Sequence, residues 1–299
     1  MAAVQEGHVE FRGFKVWYRI VGDSEAKDKL PVLCLHGGPG ATHDYLEPLK
    51  ALSGSGRRVI FYDQLGCGKS PVPSDPDMWT VELFVEEVDV VREALGLDRL
   101  HILGQSWGGM LGMEYALTRP KGLASLIAVS SPASMPLWVA EANRLRKELP
   151  PAVQQVLLKH ERAGTTQDAA YQEAMMVFYR RHLCRLNPWP EPLRRSFAKM
   201  MQDAEVYHTM NGPSEFHVIG VIKDWDITAR LGEIDVPTLV ISGRYDEATP
   251  ALVEAVHRGI PNSEWVLFEN SSHSVHMEEP ERFLQVVSRF LDRVEAERC

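Results

Sequence analysis

The sequence predicts an α/β protein: a mostly parallel sheet flanked by helices, with a purely helical segment inserted into it. Two observations carry this. Short, predominantly apolar runs recur along the chain, separated by helical patterns. Such runs fit strands covered on both faces, which is the environment of a parallel sheet between helix layers. Residues 134–230 break this alternation, because they contain helical patterns and no convincing strand.

Taken in order, 9–11 and 14–21 alternate apolar and polar residues and read as an antiparallel hairpin. The apolar runs 32–35, 59–62, 100–103, 123–129, 238–242 and 265–268 read as the buried strands. Helical patterns lie between them at 81–95, 107–118, 251–258 and 282–297. Within the inserted segment, helices are expected at 137–148, 152–163, 168–183 and 191–203. Pro150, Pro151, Pro188, Pro190 and Pro192 punctuate them. The expected organisation is a core of residues 1–133 and 231–299 with a helical cap domain, a lid over the site, at 134–230. Right-handed crossovers put the carboxyl ends of the parallel strands, and any site, on one edge.

Composition narrows the function. The 299 residues carry 32 basic and 41 acidic side chains, a net charge of −9. That balance argues against nucleic acid or an anionic membrane surface as the partner, because phosphate binding needs clustered Lys and Arg. No apolar run approaches the roughly 18 residues that span a bilayer. The first ten residues are polar and lack the basic segment and apolar run of a secretory signal. Cys34, Cys67, Cys184 and Cys299 are widely scattered, which fits free thiols rather than a zinc site or redox pair. The expectation is a cytoplasmic protein that uses no metal and no cofactor.

The chemistry concentrates after the strand at 100–103. There the chain reads Gly104-Gln105-Ser106-Trp107-Gly108-Gly109, a G-x-S-x-G pattern between an apolar strand and an apolar helix. A nucleophile on so sharp a strand-to-helix turn needs small neighbours, and the helix N-terminus aims free N–H groups at the reaction. A serine hydroxyl needs a base, and the base an orienting acid. In this architecture the chain order is Ser, then Asp or Glu, then His. Asp246 and His273 each follow a predicted strand and answer to that order; Asp224, Asp226, Asp235, His257 and His276 are their rivals. The oxyanion needs two donors. The N–H of Trp107 is one, and the loop His36-Gly37-Gly38-Pro39-Gly40 offers the other at Gly38, since Pro39 has no N–H.

These segments, together with Asp63-Gln64-Leu65-Gly66-Cys67-Gly68-Lys69-Ser70, Gly243-Arg244-Tyr245-Asp246-Glu247 and Ser272-His273, resemble the proline iminopeptidase family of α/β-hydrolase-fold serine peptidases. The resemblance reaches the inserted segment at Trp189-Pro190, at Met210-Asn211-Gly212-Pro213-Ser214-Glu215-Phe216 and at Lys223-Asp224-Trp225-Asp226, which is similar to the tricorn-interacting aminopeptidase branch. It implies an exopeptidase that releases an N-terminal residue, often proline, from short peptides. It implies Ser106 as nucleophile, His273 as base and Asp246 as its orienter. It also implies that Glu215 and Glu247 bind the substrate's free amino group. A free α-amino group has a pKa of about 7.7–8.0 and is largely protonated at neutral pH, so carboxylates would hold it by charge-assisted hydrogen bonds. From pattern alone, Glu215 reads as a solvated helix-start carboxylate and Glu247 as a helix-start charge before Pro250.

Trp138, Phe178, Tyr179, Trp189, Tyr207 and Phe216 are the aromatic candidates for a substrate pocket, though each also suits packing within the cap. Two other functions stay open. An amidase or esterase acting on amino-acid amides or esters would carry the same triad, and a binding protein could occupy the same fold without catalysis.

Overall fold

A computed structural model of the chain describes residues 3–22, 29–73 and 75–297. Its sheet has eight strands: β1 (Val4–Phe11), β2 (Phe14–Val21), β3 (Val32–Leu35), β4 (Val59–Tyr62), β5 (Leu100–Gln105), β6 (Leu123–Val129), β7 (Thr238–Gly243) and β8 (Ser263–Phe268). They lie in the order β1-β2-β4-β3-β5-β6-β7-β8. β1 and β2 form the expected hairpin, β2 joins β4 antiparallel, and every pairing from β4 to β8 is parallel.

The strands read as apolar runs because they feed two layers at once. In β3, Leu33 and Leu35 enter one apolar cluster, while Val32 and Cys34 enter the cluster on the opposite face. The first cluster is completed by α1 (Val81–Ala94), α2 (Trp107–Leu117) and, later in the chain, the helix Pro250–Gly259. The second is completed by the C-terminal helix Pro280–Ala296, whose Phe283, Val287, Phe290, Leu291 and Val294 form one helical stripe. A 3-10 helix at His43–Ser55, which the sequence pattern does not reveal, adds Leu46, Leu49 and Leu52 to that layer. β1 begins at Val4 rather than at residue 9. Its first residues are exposed and show no burial alternation, yet they pair in register with β2.

Between β6 and β7 lie α3 (Met135–Arg146), α4 (Pro151–Ala163), α5 (Ala169–His182), α6 (Glu191–Gln202) and α7 (Glu205–Met210). The short α7 is an addition to the four helices expected. α3 to α6 share an apolar cluster centred on Leu157, Tyr171, Met175, Phe178 and Phe216, whereas Val206 and Met210 of α7 join the first core cluster. α6 is also pinned to the core layer. Thr42 N donates to Ser196 Oγ at 3.1 Å, and Arg195 and Lys199 reach Asp44 at 2.6 and 3.0 Å. No helix among the described residues is long and apolar enough to cross a membrane. Cys34, Cys67 and Cys184 are buried free thiols, and Cys299 lies outside the described residues.

Candidate active site

Ser106 stands where β5 turns into α2, with φ 57° and ψ −123°, a conformation that costs a non-glycine residue about 1–3 kcal/mol. The turn closes only because its neighbours lack side chains. A Cβ on Gly104 would lie 2.0 Å from Gly108 O, and one on Gly108 would lie 2.0 Å from Leu35 O. The crowding around these glycines is the cost of presenting the Ser106 side chain at the edge of the sheet.

His273 and Asp246 come from the loops after β8 and β7. His273 Nδ1 donates to Asp246 Oδ1 at 2.8 Å. Asp246 is buried and also accepts the N–H of Ala248 at 2.8 Å, so the carboxylate is fixed before the imidazole meets it. His273 and Ser106 line one cavity. The rivals fall elsewhere. His276 donates through Nε2 to Tyr45 O at 3.0 Å, and burial lowers its pKa to about 4. His257 holds Ser263, and Asp226 caps Ser134 and Thr228.

Gly38 and Trp107 border the smaller of two cavities that meet at Ser106. Gly38 has φ +111°, and a Cβ there would lie 2.5 Å from Gly40 N, so this bend admits only glycine. Two glutamines to which sequence reasoning assigns no role hold this region. Gln64 is fully buried; its Nε2 donates to His36 O and its Oε1 accepts from Trp107 Nε1, both at 2.9 Å. One amide thus ties the Gly38 loop to the residue after Ser106. Gln105 accepts from Tyr45 OH at 2.6 Å and donates to His273 O at 3.2 Å, while Tyr45 OH accepts from Gly37 N at 2.7 Å. The signal available in the sequence was position alone: Gln64 follows β4 and Gln105 precedes Ser106.

Glu215 and Glu247 meet in the same cavity as Ser106 and His273. Glu247 Oε1 lies 3.8 Å from His273 Nε2, and its buried Oε2 has no hydrogen-bond partner among the described residues. Glu215 Oε1 accepts from Tyr207 OH at 2.7 Å, its N–H donates to Tyr179 OH at 3.3 Å, and its carbonyl accepts from Trp138 Nε1 at 2.6 Å. The solvated helix-start reading of Glu215 therefore does not hold. Burial raises the pKa of both glutamates; for Glu247 the neighbouring Glu215 and Asp246 add to this, and His273 opposes it in both. Burial disfavours a charged His273, but Asp246, Glu247 and Glu215 outweigh it and carry the imidazole up to about 9. Three carboxyl groups thus surround one imidazole.

Of the aromatic candidates, Trp138 borders the smaller cavity and packs edge-on to His273 at 6.1 Å. Phe178, Tyr179 and Phe216 belong to the helical cluster, and Trp189 packs on Phe197. Away from the cavity, His43, Asp44 and Glu47 bring three potential metal-ligand atoms within 4.8 Å. Their carboxylates already face Arg195, Lys199 and Arg19, and His43 Nδ1 faces Asp63, so cations of the protein occupy that position.

This sheet, with its nucleophile turn and its converging loops at the strand ends, is that of the α/β hydrolases, and residues 31–280 match the family described as alpha/beta hydrolase fold. The proline iminopeptidase of Saccharolobus solfataricus is 40% identical over 97% of this chain and 93% of its own. The crystal structure of the proline iminopeptidase from Mycobacterium smegmatis is 43% identical with a TM-score of 0.92, covering 99% of this chain and 100% of that one. The crystal structure of VinJ is 47% identical with a TM-score of 0.94, covering 97% and 99%. The chain belongs to the proline iminopeptidase family of α/β hydrolases.

Proposed function

We propose that the protein is a serine aminopeptidase that releases an N-terminal residue, proline or another small apolar one, from short peptides. The observation that carries this reading is the pair Glu215 and Glu247, brought into one cavity with Ser106 and with His273 held on Asp246. A peptide N-terminus brings an ammonium group to two carboxyls, one of which has an unpartnered oxygen. Binding the chain end there restricts attack to the first peptide bond.

In this mechanism His273 takes the Ser106 proton as the hydroxyl attacks the scissile carbonyl. The N–H groups of Gly38 and Trp107 receive the oxyanion. His273 then protonates the leaving amine, and water hydrolyses the acyl-enzyme by the same steps. The general acid must reach the leaving nitrogen. His273 lines the larger cavity and not the smaller, so the leaving peptide occupies the larger. The N-terminal side chain then takes the smaller, which has Pro39, Met110, Met135 and Trp138 in its walls. We assign the core to residues 1–133 and 231–299 and the cap to 134–230. The apolar cluster shared by α3 to α6 supports that division, although Met135, Trp138 and α7 pack into the core clusters and Glu215 from the cap shares the site. Three buried free thiols fit a reducing compartment and thus a cytoplasmic location.

Ser106→Ala is expected to lower turnover of prolyl-arylamide by several orders of magnitude with the fold intact. Near-normal activity in that variant would refute the assignment. An amidase acting on amino-acid amides uses the same groups, and comparing amides with peptides separates it. A non-catalytic binding protein would leave Ser106 unlabelled by a fluorophosphonate.

A further inference from the structure

We propose that the larger cavity is a leaving-group subsite that selects an apolar second residue and rejects a free carboxylate on it. This rests on the aminopeptidase reading, which fixes the direction in which the leaving amine departs. The cavity encloses about 510 Å³ with its open mouth. Away from Ser106 and the carboxyl groups its walls include Ala41, Leu183, Leu193, Phe197 and Met200.

The wall is built by one face of α6. Leu193, Ser196, Phe197 and Met200 follow a 3-4-7 helical spacing and line the cavity together. None of the cations of the same helix lines the cavity, and Arg194 is exposed. Arg195 pairs with Asp44, Glu47 and Glu191, and Lys199 pairs with Asp44. Phe197 is braced from behind by the rings of Trp189 at 5.6 Å and Tyr179 at 6.0 Å, so the apolar face has a fixed shape. The ionisable groups lining the cavity are Glu215, Glu247, His273 and Tyr45; none of the lining residues is Lys or Arg.

The consequence for substrates is direct. In a dipeptide the C-terminal carboxylate sits on the very residue that enters this cavity. There it loses water to apolar walls and meets no Lys or Arg among the lining residues. Amidation, or continuation of the peptide chain, removes that charge. An apolar second side chain instead trades water for Leu193, Phe197 and Met200.

The test compares Pro-Leu-NH2, Pro-Ser-NH2, Pro-Asp-NH2 and the free acid Pro-Leu, with prolyl-arylamide as reference. Expected kcat/KM for Pro-Leu-NH2 exceeds that for Pro-Asp-NH2 by about 10- to 100-fold, and exceeds that for free Pro-Leu by about tenfold or more. Met200→Lys and Leu193→Lys each add a cation to the cavity wall. Each is expected to narrow the gap between the free acid and the amide, a gain that a damaged fold cannot produce. If prolyl-arylamide is cleaved but the four peptides are turned over alike, or if neither lysine variant narrows the gap, this inference fails while the aminopeptidase reading stands. If no aminoacyl substrate is cleaved, the aminopeptidase reading itself fails.

Discussion

Glu215→Gln isolates the amine-anchoring role from every other feature of the site. The substitution keeps the shape of the side chain and leaves an oxygen that can still accept the Tyr207 hydroxyl, now at 2.7 Å from Oε1. It removes only the carboxylate that would face the substrate ammonium. Neutralising one partner of a buried, hydrogen-bonded charge pair costs about 2–5 kcal/mol. Glu247 remains beside it with an unpartnered oxygen, which places the loss toward the lower part of that range. The expected fall in kcat/KM for prolyl-arylamide is therefore about 30- to 300-fold. An acetate ester such as p-nitrophenyl acetate carries no ammonium. Its hydrolysis is expected to stay within about threefold of the wild type, or to rise, because Glu215 is one of the carboxyl groups that keep His273 protonated. Both substrates are assayed on the same preparation at neutral pH. An equal loss on amide and ester would refute the reasoning, since Glu215 would then be building the site rather than holding the amine. No loss on either would refute it as well.

Gln64→Met keeps the volume of the side chain but removes both of its amide hydrogen bonds, to His36 O and from Trp107 Nε1; kcat is expected to fall about 10- to 100-fold with KM nearly unchanged, because the two oxyanion donors lose their common brace. A raised KM at constant kcat would assign Gln64 to binding instead. The pH profiles of ester and amine substrates are expected to differ. His273 is raised to about 9 in the free protein, so imidazolium predominates below that pH and cannot take the Ser106 proton; kcat/KM for the ester climbs as pH rises toward 9. A docked ammonium supplies the positive charge that Glu215 and Glu247 otherwise draw onto the imidazole, so the acid limb of kcat for prolyl-arylamide is expected at lower pH than the ester limb. Coincident limbs near the ordinary histidine value of 6.5 would overturn this.

What the sequence made legible follows from which interactions are local. The Ser106 turn could be read because its requirements fall within six consecutive residues: a strand, close-packed glycines and a helix start. Asp246 and His273 could be read because each directly follows an apolar run, and parallel strands deliver their ends to one edge. The 3-10 helix His43–Ser55 left no such trace, since its irregular turns and internal Pro48 produce no 3.6-residue period. The start of β1 was hidden for the opposite reason: exposed residues from Val4 onward gain their strand conformation from pairing with β2, not from burial.

The glutamates mark the boundary of such reading. Glu247 lies next to Asp246, so any reasoning that places the aspartate in the site brings the glutamate close to it. Glu215 has no comparable local reason to be there. It reaches Ser106 only because Tyr207 on α7, Tyr179 on α5 and Trp138 on α3 each hold a different atom of the same residue. Those three partners are 8, 36 and 77 residues away in the chain, a separation over which no periodicity carries information. The packing of α7 against the Gly38 loop adds a contact of the same kind, because a Cβ on Gly40 would lie 2.9 Å from Tyr207 N. The proposed amine and oxyanion sites thus lean on one joint between α7 and the loop after β3. A change in cap packing that moves Tyr207 would disturb both, although neither Tyr207 nor Gly40 is assigned a part in the reaction.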